Sequence, residues 1–285
     1  MNIQEIIQQF KEAALDSGIT LPDNIKADGQ KHRFNIDGKP NGFYKLHPDG
    51  KPAGCFQNWK LHDKPINWKF DGEFKPFTVE ERRQYALKRA AEEKKRQAEQ
   101  AAIHQKAASI AVRVWQKATP APVDYPYLVK KGVSPNGARI LNDNLILPLY
   151  SEHLSLMSLE FIAPDGVKRF LKGGKKAGCF WWIGQKTERV LLCEGYATAC
   201  TLYESTRLQT YIAFDAGNLV KVAQVIRAKR PQVQIVICGD NDESGKGQEA
   251  AEQAAIAVDG LVSLPPELGT DFNDFVIKSK EVRHG

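Results

Sequence analysis

Ile3, Ile6, Ile7 and Phe10 recur at the spacing of one helical face and are followed by Gly18 and Pro22, so the chain should open with a helix packed through a single apolar stripe. From about Ile25 to Phe77 the pattern changes to single aromatic residues separated by turn signals. The stretch HRFNIDGKPNGFYKLHPDGKPAGCFQNWKLHDKPINWKFDG holds Asp-Gly three times and Asn-Gly once. Such pairs tolerate the positive φ of tight turns and predict short antiparallel strands. Residues Val79 to Lys117 contain neither Gly nor Pro and carry charges of both signs at three- and four-residue spacing. That is the pattern of one long helix, read as a solvent-exposed connector between domains. Three prolines between Ala118 and Pro126 should break it.

Beyond Tyr127 the stretches ARILNDNLILPLY and LSLMSLEFIAPDGVKRFLKGG offer two short apolar strands with an Asp-Gly turn. A regular alternation follows: strand ERVLLCEG with helix YATACTLYEST, strand TYIAFDAG with helix NLVKVAQVIRAKR, strand QVQIVICGDND with helix KGQEAAEQAAIAV, and strand GLVSLP with TDFNDF. Repeated βα units predict an α/β domain with a mostly parallel sheet covered by helices. The expected division is a helix plus β-rich module at 1–78, a charged helical linker at 79–118, a small basic α+β subdomain at 119–188 and the α/β domain at 189–285.

Composition adds bounds. With 285 residues, 42 % hydrophobic and 26 % charged, the chain has the make-up of a soluble globular protein of about two domains. No apolar run approaches the roughly 18 residues of a membrane span, and the N-terminal helix pattern lacks the apolar region of a signal peptide, so a cytoplasmic protein without a membrane partner is expected. The five cysteines form no Cys-x-x-Cys pair, which suits buried thiols in a reducing compartment and no zinc site. His32, His47, Cys55 and His62 are too irregularly spaced for one. The net charge of +6 is too small to name a partner. Its distribution is more telling: between Ile25 and Phe77 ten Lys and Arg, Lys75 among them, stand against six acids that include Asp49 and Glu73. Cations interleaved with aromatic rings suit single-stranded nucleic acid, whose phosphates need positive charge and whose bases need flat faces. Arg33, Trp59, Lys60 and Trp68 are the candidates for holding a template strand. The alternative is that the aromatics form a small core with the lysines as its solvated face.

The predicted parallel strands end in acids: Glu194 after the first, Asp215 after the second, Asp240 and Asp242 after the third, Asp271 and Asp274 after the fourth. Ligands collect at the carboxyl ends of such strands. A lone acid there is often a helix cap, which is one reading of Asp215. Converging carboxylates repel one another unless a divalent cation neutralises them, and Asp-x-Asp in an extended segment sends both side chains to one side. Oxygen ligands without His or Cys favour Mg²⁺ or Mn²⁺. Two look-alikes are set aside. Gly239 to Lys246 ends in Gly-Lys, but Gly247 stands where a P-loop needs Ser or Thr, so no helicase motor is expected. Gly245 to Ala250 fits a dinucleotide fingerprint only out of its strand context.

Glu194-Gly195 after an apolar strand, Gly239-Asp240-x-Asp242 after a later one and Asp271-x-x-Asp274 after the last resemble the TOPRIM domain shared by bacterial primases, topoisomerases and certain nucleases. The final acidic motif of bacterial primases often reads Asp-x-Asp, from which Asp274 departs. Arg139 to Pro148, then Lys168, Arg169, Lys172, Lys175 and Lys176 around Gly173-Gly174, resemble the basic subdomain that precedes TOPRIM in primases. Lys172 to Lys176 are read as binding phosphate, with Gly173-Gly174 opening the backbone beside them; a charged hairpin tip is the alternative. The stretches ADGQKHRFNIDG, NGFYKLHPDGKPAG, RFLKGGKKAG, CEGYATAC, AFDAGNL and CGDND extend the likeness over nearly all of the chain, to TOPRIM primases of proteobacterial phages, plasmids and other mobile elements. The resemblance implies a DNA-dependent RNA primase that makes short primers on single-stranded DNA from nucleoside triphosphates, beside a separate replicative helicase. It implies a two-metal Mg²⁺ or Mn²⁺ site on Glu194, Asp240, Asp242, Asp271 and Asp274, with Glu194, Asp240 and Asp242 catalytic and Arg139, Arg169 and Lys172 on phosphates. A TOPRIM nuclease and a non-catalytic DNA-binding, replisome-loading module are the alternatives.

Overall fold

The computed structural model describes residues 3–48, 50–72 and 79–284; Asp49, Glu73 and Lys75 lie outside them. The chain divides into two compact units, Met1–Lys94 and Lys95–Gly285, the division falling inside one long helix.

In the first unit, helix α1 (Ile3–Asp16) buries Ile6, Phe10 and Ala14, and Gly18 ends it with a left-handed residue at φ 75°. Strands β1 (His32–Ile36), β2 (Lys39–His47), β3 (Ala53–Asn58) and β4 (Ile66–Lys69) form one antiparallel sheet in chain order. Ile36 pairs with Lys39 across a two-residue turn in which Asp37 and Gly38 both have positive φ, as Asp-Gly favours. The Asn-Gly pair makes no turn: Asn41 and Gly42 lie within β2. Gly42 is needed there because a Cβ would stand 2.5 Å from the Phe34 ring. Tyr44, Phe56 and Trp68 fall on the face that packs against Phe10 of α1.

The long helix α2 (Val79–Lys117) has the predicted bounds. Its last turns differ from a solvent-exposed connector. Ala107 and Ala111 are buried, and Ala111, with Val114 and Trp115, packs against Ile146 and Leu159. Small alanines let the helix lie close to a sheet. In that sheet β5 (Thr119–Pro120), β6 (Arg139–Leu141), β7 (Asn144–Tyr150), β8 (Leu156–Ile162) and β9 (Lys168–Phe170) run antiparallel in chain order, and α3 (Pro126–Lys131) starts on its proline.

The remaining elements are β10 (Trp181–Ile183), β11 (Arg189–Cys193), α4 (Tyr196–Thr206), β12 (Gln209–Ile212), α5 (Leu219–Lys229), β13 (Gln234–Cys238), α6 (Lys246–Ile256), β14 (Leu261–Ser263) and α7 (Phe272–His284). The sheet order is β10-β12-β11-β13-β14, with β11 to β14 parallel as the alternation predicts and β10 added antiparallel at one edge. Leu191 and Cys193 share a core with Leu145, Leu147 and Ile162 of the antiparallel sheet. Val190, Leu192, Ile235 and Ile237 pack with α5 and α6 on the other face.

Candidate metal and nucleotide site

The carboxyl end of the parallel sheet brings together acids distant in the chain. Asp240 lies just beyond β13, after Gly239. Asn241 holds the approaching loop: its amide N–H donates to the Thr270 carbonyl at 3.0 Å and its side chain to the Pro265 carbonyl at 2.9 Å. This sets Asp271 beside Asp240. Burial, then Glu194, Asp271 and Asp242, push the Asp240 carboxyl up to about 7. Its Oδ1 is buried without a hydrogen-bond partner. Glu194 is likewise raised, by burial and by Asp215, while the backbone N–H of Ala216 opposes the shift.

Asp242 has a second task. Its carboxylate accepts from the backbone N–H of Gly247 at 2.6 Å, from that of Lys246 at 3.2 Å and from the Ser244 hydroxyl at 2.6 Å, which together hold its pKa below the usual range. It thus satisfies the open N–H groups at the start of α6. Gly247 is glycine for the same reason: a Cβ would stand 2.6 Å from the Asp240 carbonyl oxygen and 2.8 Å from Asp242 Oδ2.

Asp271 accepts from the Thr198 hydroxyl at 3.1 Å and from the backbone N–H of Asp274 at 2.8 Å, capping α7. Asp274 turns instead to Lys131 of α3, at 2.9 Å. Among the described residues no three His, Cys, Asp or Glu side chains stand together as a ready-made cage for an ion. The expected five-acid set is therefore a group of carboxylates that repel one another electrostatically, with Asp274 diverted by its own cation.

Cations reach this end from β9 and the loop after it: Lys168 and Lys176 of the basic stretch, rather than Arg139 and Arg169. Lys168 pairs in register with Ile162 and Arg169 with Phe161, so their side chains leave opposite faces of the sheet. Lys168 acts on Glu194, Asp240 and the buried Glu160, and a Cβ on Gly195 would lie 4.0 Å from its Nζ. Arg169 faces the α2 side. So does Arg139, whose guanidinium donates to the Trp115 carbonyl at 2.8 Å and lies over the Trp115 ring. Lys172 is exposed, whereas Lys176 lies over Phe170 and pairs with Asp215. Sequence reasoning placed Lys168 in the basic stretch without giving it a site role, and missed Glu160 altogether. Strand alternation from Ile162 would have found Lys168, since its register partner is a core residue.

In the first unit the candidates separate by face. Trp68 packs edge-on against Phe10 and Phe70 and belongs to the core. Trp59, 37 % exposed, lies against Phe43 on the face turned from α1, with Arg33 4.7 Å and Lys31 5.2 Å from its ring. Lys60 pairs with Asp37.

Residues 189–281 match the family described as Toprim domain. The chain is 31 % identical over 285 aligned residues to one DNA primase TraC of Escherichia coli, and 33 % identical over 280 residues to another, in each case over 90 % of its own length. Those matches cover 19 % and 26 % of the relatives, so the chain spans about a fifth to a quarter of the curated proteins it resembles. Among solved structures, a DnaG primase catalytic domain bound to ssDNA aligns with 65 % of the chain and 79 % of that domain, at 14 % identity and a TM-score of 0.45. The primase fragment of the bacteriophage T7 primase-helicase aligns with 56 % of the chain and 73 % of the fragment, at 18 % identity and a TM-score of 0.43.

Proposed function

We propose that this chain is the catalytic part of a DNA-dependent RNA primase, holding single-stranded DNA and joining nucleoside triphosphates into a short primer. The observation that carries the reading is Asp240, a buried carboxyl with one unpartnered oxygen, raised by three other acids at the end of a parallel sheet. Such a group is costly unless a cation meets it. The surrounding donors are carboxylate oxygens, which fit Mg²⁺ or Mn²⁺. Asp240, Glu194 and Asp271 would hold it, with Asp242 adding negative charge from its cap on α6. When bound, a divalent ion would offset the charge that develops on a triphosphate during in-line displacement. Two relatives over 90 % of the chain are named DNA primases, which favours joining over cutting.

The chain's own residues supply the rest. As the alternative to holding the ion, Glu194 would take the proton of the attacking 3′-hydroxyl, its carboxyl being raised by burial and by Asp215. Lys168 and Lys176 would neutralise triphosphate oxygens, with Lys172 contributing from the same loop. The template would lie on the face of the β1–β4 sheet that carries Lys31, Arg33, Lys45 and Trp59, bases on the indole and phosphates on the cations. A separate helicase would supply the unwound strand.

The test uses the full chain, a single-stranded template, labelled nucleoside triphosphates and Mg²⁺ or Mn²⁺. Metal-dependent labelled oligoribonucleotides are expected, and Asp240→Asn should abolish them while leaving template affinity within about twofold. Asp240 is the better substitution, because Asp242→Asn would also disturb the start of α6. Nicking of the template in place of synthesis, or synthesis that survives Asp240→Asn, would overturn the reading.

A further inference from the structure

A second concave site lies away from the acids. A cavity of about 570 Å³ opens between the edge strand β10, the start of β12 and the last turns of α5. Its volume is that of a small-molecule site. The acids gather where β11 and β13 end, whereas Gln209 at this cavity begins its strand.

The lining combines flat aromatic faces with positive charge. Trp182 and Tyr211 are register partners across β10 and β12, their ring centroids 6.5 Å apart, and Phe180 lies 5.7 Å from Tyr211. Trp182 is only half-buried, so part of the indole faces the cavity. Lys186 and Lys229 stand exposed on the rim with no ion pair among the described residues. Arg230 is fixed in place: its guanidinium donates to the side-chain oxygen of Gln209 at 2.9 Å and to the Thr187 carbonyl. Gln209 is itself 4 % exposed, so this cation is pre-positioned by a buried polar group rather than loose on the surface. Gly184 keeps the loop after β10 tight against α4, since a Cβ there would stand 2.5 Å from the Tyr203 ring. That holds Lys186 at the rim.

We propose that this cavity is a second nucleotide-binding site, in which a base lies on Trp182 and its phosphates meet Lys186, Lys229 and Arg230. Aromatic faces recognise any base by stacking, and clustered cations recognise phosphate. A free nucleoside triphosphate and one nucleotide of a single strand present the same chemistry, so either can supply the ligand. The proposal does not depend on the reaction at the acidic site.

The experiment uses the full chain in a chelator, which silences metal-dependent nucleotide binding at the acids. Two photoreactive probes are compared, azido-ATP and a thiothymidine tetranucleotide, and the crosslinked peptides are mapped. Adducts within 180–186 or 225–230 are expected. Their appearance with azido-ATP alone identifies a free nucleotide, with the tetranucleotide alone a strand, and with both a site that takes either. Trp182→Leu should cut the adduct roughly tenfold, the effect of losing a base stack. The charge-reversed pair Lys186→Glu and Lys229→Glu should do the same, while Asp240→Asn leaves the yield unchanged. Absence of adducts in these segments with both probes overturns the proposal, as does a yield that Trp182→Leu leaves within about twofold. That second result would reduce the site to nonspecific charge. Far-ultraviolet circular dichroism and a cooperative thermal transition like the parent chain's verify that the variants are folded.

Discussion

At the scale of single residues, Asp240 ties the chemistry to a measurable stability effect. Its folded pKa of about 7 lies above its usual value of 3.8, so the folded chain keeps this proton to higher pH than the unfolded chain does. Stability from this group is therefore complete at low pH and is lost as pH rises from about 4 through about 7. In chelator, the urea midpoint should fall between about pH 5 and about pH 8, and less so in Asp240→Asn. Part of the slope should remain, because Glu160 is also pushed up to about 7 by burial. An unchanged slope in the variant would refute the assignment. Asp240 was legible in the sequence, since Asp-x-Asp after an apolar strand marks a strand end. The diversion of Asp274 was not, because its partner Lys131 lies 143 residues away. The cap made by Asp242 could have been read from the acid and glycines that precede α6.

At the scale of elements, alternation along β9 decides which basic side chains meet the acids. Lys168→Ala should lower primer synthesis by about tenfold or more, the cost of losing a charge that faces developing phosphate charge. Arg169→Ala, on the opposite face, should change it less than about twofold. Comparable losses from both would show that charge in this stretch, rather than its facing, is what matters. The βα alternation from Arg189 onward was readable because β11, β12 and β13 are each followed in the chain by a helix that packs on the sheet. Strand β10 was not, since three residues carry little periodic signal and their partner β12 begins 26 residues after Ile183. The long helix α2 was read with the right bounds and the wrong surroundings: its charged residues dominate the pattern, and the alanines that dock it on β7 and β8 are apolar without being bulky.

At the scale of the molecule, a net charge of +6 says less than where the charges sit. Lys168 and Lys176 face acids at one end of the parallel sheet, and Lys31, Arg33 and Lys45 share one face of the first unit's sheet with Trp59. The aromatics of that unit divide between two environments, Trp68 in the core and Trp59 exposed among cations, because a two-faced sheet separates them by parity. Burial separates the thiols. Cys179, Cys193, Cys200 and Cys238 are buried and their pKa values are raised, to about 11 for Cys179 and about 12 for Cys200 and Cys238. Cys55 is only half-buried; burial raises its thiol too, but Lys45 and Lys31 oppose the shift, and it pairs in register with Lys45 on the face that carries Trp59. The native chain should therefore accept a single maleimide dye, at Cys55, countable by mass spectrometry, and single-stranded DNA should slow its attachment. The protein thus carries a built-in reporter on the surface proposed for the template, and no cysteine needs to be engineered to watch it.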